Sequence, residues 1–123
     1  MAITLNATLR NARSTAIVTE AGATAKLSVY TAAYAQLLYT STCAATLGTV
    51  SGGVLTLNAV GNATATGAGT AAVARLFKTD GTTMVIEGLT VGTAATNIVI
   101  TNTTIAVNDV VTTASGSITE GNP

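Results

Sequence analysis

The strongest constraint on the fold is a predicted β-hairpin in residues 70–91, TAAVARLFKTDGTTMVIEGLTV. Two apolar segments flank the dipeptide Asp80-Gly81. An Asp-Gly pair between hydrophobic segments is a strong short-range signal for a hairpin turn. The register of the hairpin decides which side chains face the core, because a shift by one residue moves every side chain to the opposite face.

Two registers are compatible with this turn. A two-residue loop pairs Phe77 with Met84 and turns Arg75 toward the apolar face. A three-residue loop, 79–81 with Gly81 at positive φ, pairs Leu76 with Met84, and we expect this register because it keeps Arg75 out of the core. The residues that it places on the core face are Ala72, Ala74, Leu76, Met84 and Ile86. Arg75 and Glu87 then share the outer face.

An amphipathic helix is predicted near the start of the chain, over residues 6–21. Asn6 is a suitable N-cap, since its side chain can accept a hydrogen bond from an unpaired helix N–H. Gly22 is suited to a left-handed C-cap. Apolar residues recur at helical spacing at Leu9, Ala12, Ala16 and Ile17. We expect Leu9, Ala16 and Ile17 to pack on a sheet of the same chain; packing on a neighbouring subunit is the alternative.

After Gly22 the hydrophobic period changes to that of strands. In residues 26–31, Leu27, Val29 and Thr31 alternate with Lys26, Ser28 and Tyr30. Further strands are expected at 37–40, 44–50, 54–60, 97–101, 104–107 and 110–114, with 115–119 as an extension. Residues 32–36 favour neither helix nor strand. This spacing predicts a mainly β fold, a sandwich or barrel of about seven short antiparallel strands with one N-terminal α-helix.

The chain has the length of a single domain, residues 1–123. Its predicted parts are a possible arm at 1–5, the helix at 6–21, a β domain at 25–119 and a frayed C-terminus at 120–123. Residues 61–69, GNATATGAG, have small side chains. They are interpreted either as a flexible loop or as a strand lying flat against another chain.

The composition argues against several functions. Charged residues make up 8% of the chain, against roughly 25% in an ordinary domain, and the formal net charge is zero. A nucleic-acid partner is not expected, because such binding needs a basic surface. Low charge resists association poorly. This suits a subunit that functions in an assembly.

The sequence offers few residues for catalysis. Histidine is absent, so no histidine-based acid–base pair or metal site is expected. The five acidic residues are spread along the chain, and Cys43, the single cysteine, has no histidine to activate it. We therefore expect no enzyme activity, no catalytic residue, no metal and no cofactor. The residues expected to matter are structural ones: Gly81, Asp80, Leu76, Met84, Ile86, Leu9 and Ile17.

Neither a membrane-spanning segment nor a signal peptide is expected. No apolar run approaches the roughly 18 residues that a spanning helix needs. The N-terminal residues MAITLNATLR lack a basic region followed by a long apolar block. The expectation is a protein made in the cytoplasm with no encoded export route and without a membrane partner.

Several segments, taken together and in order, resemble a family of small structural proteins of tailed bacteriophages and prophages. They are LNATLRNARSTAI, AKLSVYT, GVLTLNAV, ARLFKTDGTTMVIEGLTVGT and SITEGN. The chain departs from the family in residues 32–47, which are shorter and richer in alanine, and at Ala74, where an aromatic residue is common. The resemblance implies a virion component.

Two functions follow from that resemblance. The first is a capsid decoration (cement) protein that binds the major capsid protein or other virion proteins and stabilises the shell. We expect it to form a homo-oligomer, a trimer. The second is a tail, neck or fibre protein that contacts a host surface or glycan. Glycan sites commonly use exposed aromatic rings, and the available rings are Tyr30, Tyr34, Tyr39 and Phe77.

Overall fold

A computed structural model describes residues 6–119. The predicted arm at 1–5 and the predicted frayed end at 120–123 lie outside the described residues. The fold is mainly β, a curled multi-strand sheet of the sandwich or barrel type with one N-terminal helix, and this confirms the predicted class. Within residues 6–119, no helix combines the length and the apolar character needed to cross a bilayer.

Helix α1 (Ala7–Ala21) begins and ends where its capping residues predict. Asn6 has an extended backbone, and its Oδ1 accepts a hydrogen bond of 2.8 Å from the backbone N–H of Leu9. Gly22 ends the helix with φ +69°, and its N–H donates to the carbonyl of Val18 at 3.2 Å. Positive φ at this position is why a glycine suits it.

Twelve strands and one short 3-10 turn follow within the described residues. The 3-10 turn, η1, covers Ala32–Tyr34. The strands in chain order are β1 (Lys26–Tyr30), β2 (Leu37–Thr42), β3 (Gly48–Ser51), β4 (Val54–Leu57), β5 (Ala63–Thr64), β6 (Gly69–Thr70), β7 (Val73–Phe77), β8 (Met84–Gly92), β9 (Ile98–Ile100), β10 (Thr104–Ile105), β11 (Val110–Val111) and β12 (Thr113–Thr119). Several are shorter than predicted, above all in the ranges 44–50, 54–60 and 104–107.

Eight of these strands form one sheet in the order β2-β1-β7-β8-β9-β12-β4-β3. The remaining four make two small pairs, β6 with β10 and β5 with β11. All pairs are antiparallel except β8 with β9, which is parallel. The prediction of about seven antiparallel strands missed this parallel pair and the small outer pairs. The core between the layers is built mainly from aliphatic side chains; its largest fully buried members are Tyr39, Leu27, Leu38, Leu47, Leu55, Leu76, Ile98 and Ile100.

The β7–β8 hairpin follows neither predicted register throughout. Phe77 pairs with Met84, as in the register that we rejected, but Leu76 pairs with Ile86 and Ala74 with Leu89. Two bulges on β8 each add one residue, and the second contains Gly88 at φ +80°. The prediction that Met84 is buried opposite Leu76 is wrong, because Met84 is 48% exposed at the end of the strand.

The exposed side of α1 is also not the predicted one. Leu9 is 45% exposed and Ala16 is exposed, whereas Ile17 is half-buried against the core. The helix rests on the β3–β4 turn, where Asn11 Oδ1 accepts a hydrogen bond of 2.7 Å from the N–H of Gly53. The apolar stripe of this alanine- and threonine-rich helix is weak, so this polar contact can set its rotation. The prediction that Leu9 and Ala16 face the sheet is therefore wrong, and only Ile17 packs as expected.

Residues 61–69 lie along the edge of β2 of the same chain. The N–H of Gly61 donates to the carbonyl of Thr42 at 3.0 Å, and those of Thr66 and Gly67 donate to the carbonyl of Leu38 at 2.8 and 3.2 Å. Ala63 and Ala65 in this segment are buried. Their small side chains thus allow a close approach within one chain, so this segment packs on β2 and is not a free loop.

Candidate functional site

Four side chains meet on the outer face of the main sheet: Tyr30, Tyr34, Arg75 and Glu87. The alternation of the strands puts them there, since side chains of successive residues point to opposite faces. On β1, Leu27 and Val29 face the core, so Tyr30 faces outward. On β7, Ala74 and Leu76 are fully buried and Arg75 between them faces outward. We call these four residues the Arg75 cluster.

Tyr34 enters the cluster from η1, the turn between β1 and β2. Ala33 and Tyr34 both have φ +57°, the left-handed region that costs a residue with a Cβ roughly 1–2 kcal/mol. The hydroxyl of Tyr34 accepts a hydrogen bond of 2.6 Å from the backbone N–H of Gly88. Gly88 lies in the second bulge of β8, so this bond fixes the turn to the bulge. The tertiary contact holds both irregular segments in place.

The guanidinium group of Arg75 lies over both tyrosine rings, which also contact each other. Its central carbon is 3.8 Å from the ring centre of Tyr34 and 5.3 Å from that of Tyr30. The rings meet edge to face, with centres 5.4 Å apart and planes at 73°. Both distances are within the range of a cation–π attraction. The position of the guanidinium is therefore held by two aromatic contacts.

Glu87 completes the cluster with a negative charge. Its Oε2 lies 3.4 Å from Arg75 Nε, a nitrogen that is shielded from solvent and makes no hydrogen bond within residues 6–119. The side chain of Arg75 is 30% exposed and that of Glu87 is 53% exposed. The pair is an ion pair at the surface, where solvent screens the charges and little stability results.

A strip of hydroxyl groups continues the cluster along the same face. Ser28, which pairs with Arg75 across β1 and β7, has its Oγ 3.0 Å from Thr40 Oγ1. Lys26 Nζ donates a hydrogen bond of 2.8 Å to Thr42 Oγ1. Thr40 and Thr42 are exposed. The outer face of β1, β2 and β7 thus presents hydroxyl, ammonium, guanidinium and carboxylate groups together.

The Arg75 cluster contains charged and aromatic side chains rather than a thiol or a hydroxyl nucleophile. The nucleophilic candidates lie elsewhere: burial raises the pKa of Cys43 to about 11 and that of Tyr39 to about 12. Protonated groups of this kind are poor nucleophiles at neutral pH. Within residues 6–119, no group of three or more histidine, cysteine, aspartate or glutamate side chains is placed to hold a metal ion.

Two clefts lie away from the Arg75 cluster. One, of about 170 Å³, is lined by residues near Asn102 and Asp109, and the other, of about 150 Å³, lies between the end of β4 and the start of β12. At ~30 Å³ for each water molecule, either cleft holds only a few waters. The Arg75 cluster has more recognition groups than either cleft, and we take it as the candidate site.

The residues predicted from the sequence do not converge on this site. Gly81 has the predicted positive φ, +73°, and Asp80 stabilises the same turn by hydrogen bonds to Thr82 and Thr83. Leu76 is buried and Ile86 is half-buried, and the two pair with each other. Leu9, Ile17 and Met84 have the positions given above.

Sequence reasoning did not identify the Arg75 cluster as a site. It did place Arg75 and Glu87 on one outer face, and Tyr30 on the outer side of β1. Tyr34 was missed because residues 32–36 had no clear period. A signal was present: these four residues include two of the chain's three tyrosines and two of its ten charged residues.

The fold and the cluster define a class, a small mainly β domain with a group of polar and aromatic side chains on the outer face of its sheet. Comparison of the chain with protein families, with curated proteins and with solved structures gives no match. The resemblance to phage virion proteins rests on the quoted sequence segments alone.

Proposed function

We propose that this chain is a non-enzymatic structural protein of a tailed-phage virion, a capsid decoration protein that stabilises the shell as a homotrimer. The resemblance in sequence suggests the virion. The low charge and the small aliphatic core support a protein that functions in an assembly. Its partners are further copies of itself and the major capsid protein.

The observation that carries the proposal is a rigid turn with exposed apolar side chains, residues 106–110. Val107 is 53% exposed and Val110 is 67% exposed. Surface apolar residues that occur singly are ordinary, and we infer that these two, three residues apart in one turn, belong to the surface that a partner covers. Asp109, the charged residue of this turn, accepts a hydrogen bond of 2.9 Å from the N–H of Ala106 through its Oδ2.

Backbone hydrogen bonds hold this turn in place. The N–H of Asp109 donates to the carbonyl of Ala106 at 3.0 Å. Ala65 donates to the carbonyl of Asp109 at 2.7 Å and accepts from the N–H of Asn108 at 2.8 Å. A preformed contact loses little conformational entropy when it binds. The turn is therefore suited to insertion into a depression of the shell.

The test compares particles with and without the protein. We expect shells that lack it to assemble and to release their genome at a lower temperature, and the free protein to sediment as a trimer. Binding of purified protein to bare shells then tests the turn. Val110→Thr keeps the shape of the side chain but removes its apolar character, and it should weaken shell binding about tenfold, the effect of ~1.5 kcal/mol of lost burial.

The matched control is Leu9→Gln, which removes an exposed apolar side chain from the helix. It should leave shell binding unchanged. Equal release temperatures, together with a monomer at micromolar concentration, would refute the decoration function. Equal losses in both variants would show that general surface hydrophobicity drives the binding.

A tail, neck or fibre protein is the second candidate function. The position of Tyr30 and Tyr34 at the surface favours it, because aromatic rings are common in glycan sites. Tyr39, a further candidate ring, is fully buried. Copy number separates the two functions: hundreds of copies per virion fit a shell protein, and a few to a few dozen fit the tail or neck.

A further inference from the structure

We propose that the Arg75 cluster is a binding site for an uncharged oligosaccharide. The site consists of the guanidinium of Arg75, the carboxylate of Glu87 and the half-buried rings of Tyr30 and Tyr34. It continues into the strip of hydroxyl groups formed by Ser28, Thr40 and Thr42. This ligand site goes beyond shell binding and does not depend on where in a virion the protein sits.

The first argument is the unused hydrogen-bonding capacity of the ion pair. Within residues 6–119, the guanidinium of Arg75 makes an ion pair and two aromatic contacts but donates no hydrogen bond. The carboxylate of Glu87 likewise accepts none there. A guanidinium carries five N–H donors and a carboxylate about four acceptor positions. A ligand that both donates and accepts can satisfy these groups together.

The second argument is charge. Arg75 and Glu87 neutralise each other at 3.4 Å, so an anionic ligand that approaches Arg75 also meets the carboxylate of Glu87. Like charges at this range oppose binding. A sugar hydroxyl has no charge, and it can donate to Glu87 and accept from Arg75 at the same time. At this pair, a neutral polyhydroxyl ligand is therefore favoured over a carboxylate or phosphate; the ammonium of Lys26 lies farther along the strip and is hydrogen-bonded to Thr42.

The third argument is the position on a sheet face. A peptide that binds through its backbone needs the unpaired groups of a sheet edge. β1 and β7 are inner strands, since β1 lies between β2 and β7, and β7 between β1 and β8. Side chains alone are therefore available here. Aromatic rings, a donor–acceptor pair and exposed threonine hydroxyls are suited to the apolar faces and the hydroxyl groups of a sugar chain.

The fourth argument is preorganisation. The guanidinium is held by two rings, and Tyr34 is itself held by its 2.6 Å hydrogen bond from Gly88. Groups that are fixed before binding lose less entropy on binding. Such a site can bind a flexible sugar chain even though it is shallow.

The experiment titrates the purified full-length protein with cellohexaose, chitohexaose and mannohexaose, observed by backbone amide NMR. Hexagalacturonate is the charged comparison, and a neutral peptide rich in threonine and asparagine tests peptide binding. We expect at least one neutral hexasaccharide to bind with Kd of about 1 mM or below. The shifted amides should belong to β1, β7, η1 and the bulge at Gly88.

The test variants are Arg75→Gln and Glu87→Gln, and each should weaken binding at least tenfold. Arg75→Lys keeps the charge but loses the planar fork, and it should also weaken binding. The matched control is Glu20→Gln, which disrupts a different surface ion pair, Glu20 with Lys78 at 3.0 Å. It should bind like the wild type. Retained amide dispersion shows that each variant is folded.

Three results would overturn the proposal. The first is no binding of any neutral hexasaccharide up to about 10 mM, a concentration at which even weak sites respond. The second is wild-type affinity in both glutamine variants. The third is tighter binding of hexagalacturonate or of the peptide, which would assign the cluster to an anionic or a protein partner.

Discussion

Leu76 lies opposite Ile86 in the β7–β8 ladder, and its side chain is 1% exposed. One step nearer the turn, Phe77 lies opposite Met84. The bulge between these two pairs keeps Leu76 in the core and Arg75 on the outer face, even though the turn is longer than a tight Asp-Gly loop. Lys78 and Thr83 close the turn, with an N–H to carbonyl hydrogen bond of 2.9 Å.

This relationship predicts unequal effects of truncation on the two sides of the turn. Leu76→Ala should lower the free energy of unfolding by about 2–5 kcal/mol, because it leaves a cavity in the core. Met84→Ala should cost less than about 1 kcal/mol, because nearly half of that side chain is already exposed. Urea unfolding measures both. Similar costs for the two variants would contradict the observed register.

A second prediction concerns two tyrosine hydroxyls with opposite roles. The hydroxyl of Tyr39 is buried and has no hydrogen-bond partner among residues 6–119, whereas that of Tyr34 accepts a bond from Gly88. Tyr39→Phe should leave stability unchanged or raise it by about 1 kcal/mol, since it removes a buried unsatisfied group. Tyr34→Phe should lower it by about 1 kcal/mol. Thermal unfolding compares the stabilities of the two variants with that of the wild type. A clear loss of stability in Tyr39→Phe would show that an internal water binds the hydroxyl of Tyr39.

A third prediction tests the packing of residues 61–69 on β2. A Cβ on Gly67 would meet the backbone carbonyl of Leu37, which has no side-chain freedom to move away. Gly67→Ala should therefore cost about 1–3 kcal/mol through overpacking. Ala68→Gly, at the exposed neighbouring position, is the control for local flexibility and should cost less than about 1 kcal/mol. A neutral Gly67→Ala variant would mean that the segment can leave the edge of β2.

A fourth prediction is a pH dependence of the hairpin turn. The hydroxyl of Thr83 is the main cause that lowers the pKa of Asp80 from 3.8 to about 2, followed by the N–H groups of Thr83 and Thr82. Because the pKa is lower in the folded state, Asp80 stabilises the turn above pH 3.8 and loses this effect as the pH falls through about 2. Asparagine does not titrate. The difference in melting temperature between wild type and Asp80→Asn should therefore shrink as the pH falls from 3.8 to about 2. A constant difference would exclude this contribution of Asp80.

Local chemistry in the sequence was sufficient for much of the fold. Asn6 and Gly22 predicted the two ends of the helix, because capping depends on residues within one turn of the helix end. Asp80 and Gly81 predicted the turn because their effects are local. The carboxylate of Asp80 accepts hydrogen bonds from nearby N–H groups, and Gly81 is free to adopt positive φ. Alternation in residues 26–31 identified the inner and outer faces of β1 for the same reason. The mainly β class follows from such short-range patterns.

Contacts between distant residues decided the rest. The hydrogen bond from Gly53 to Asn11 joins residues far apart in the chain, and it contributes to turning Leu9 to solvent. Bulges on β8 allow Leu76 to be buried together with this turn. The register therefore depends on the pairing of β7 with β1 as well as on the turn residues. Tyr34 joins the Arg75 cluster only because η1 folds back on the bulge at Gly88. The sequence determined which segments become helix, strand and turn, since those choices are local; tertiary structure decided their rotation, register and shared surface, since these depend on packing energies summed over the whole chain.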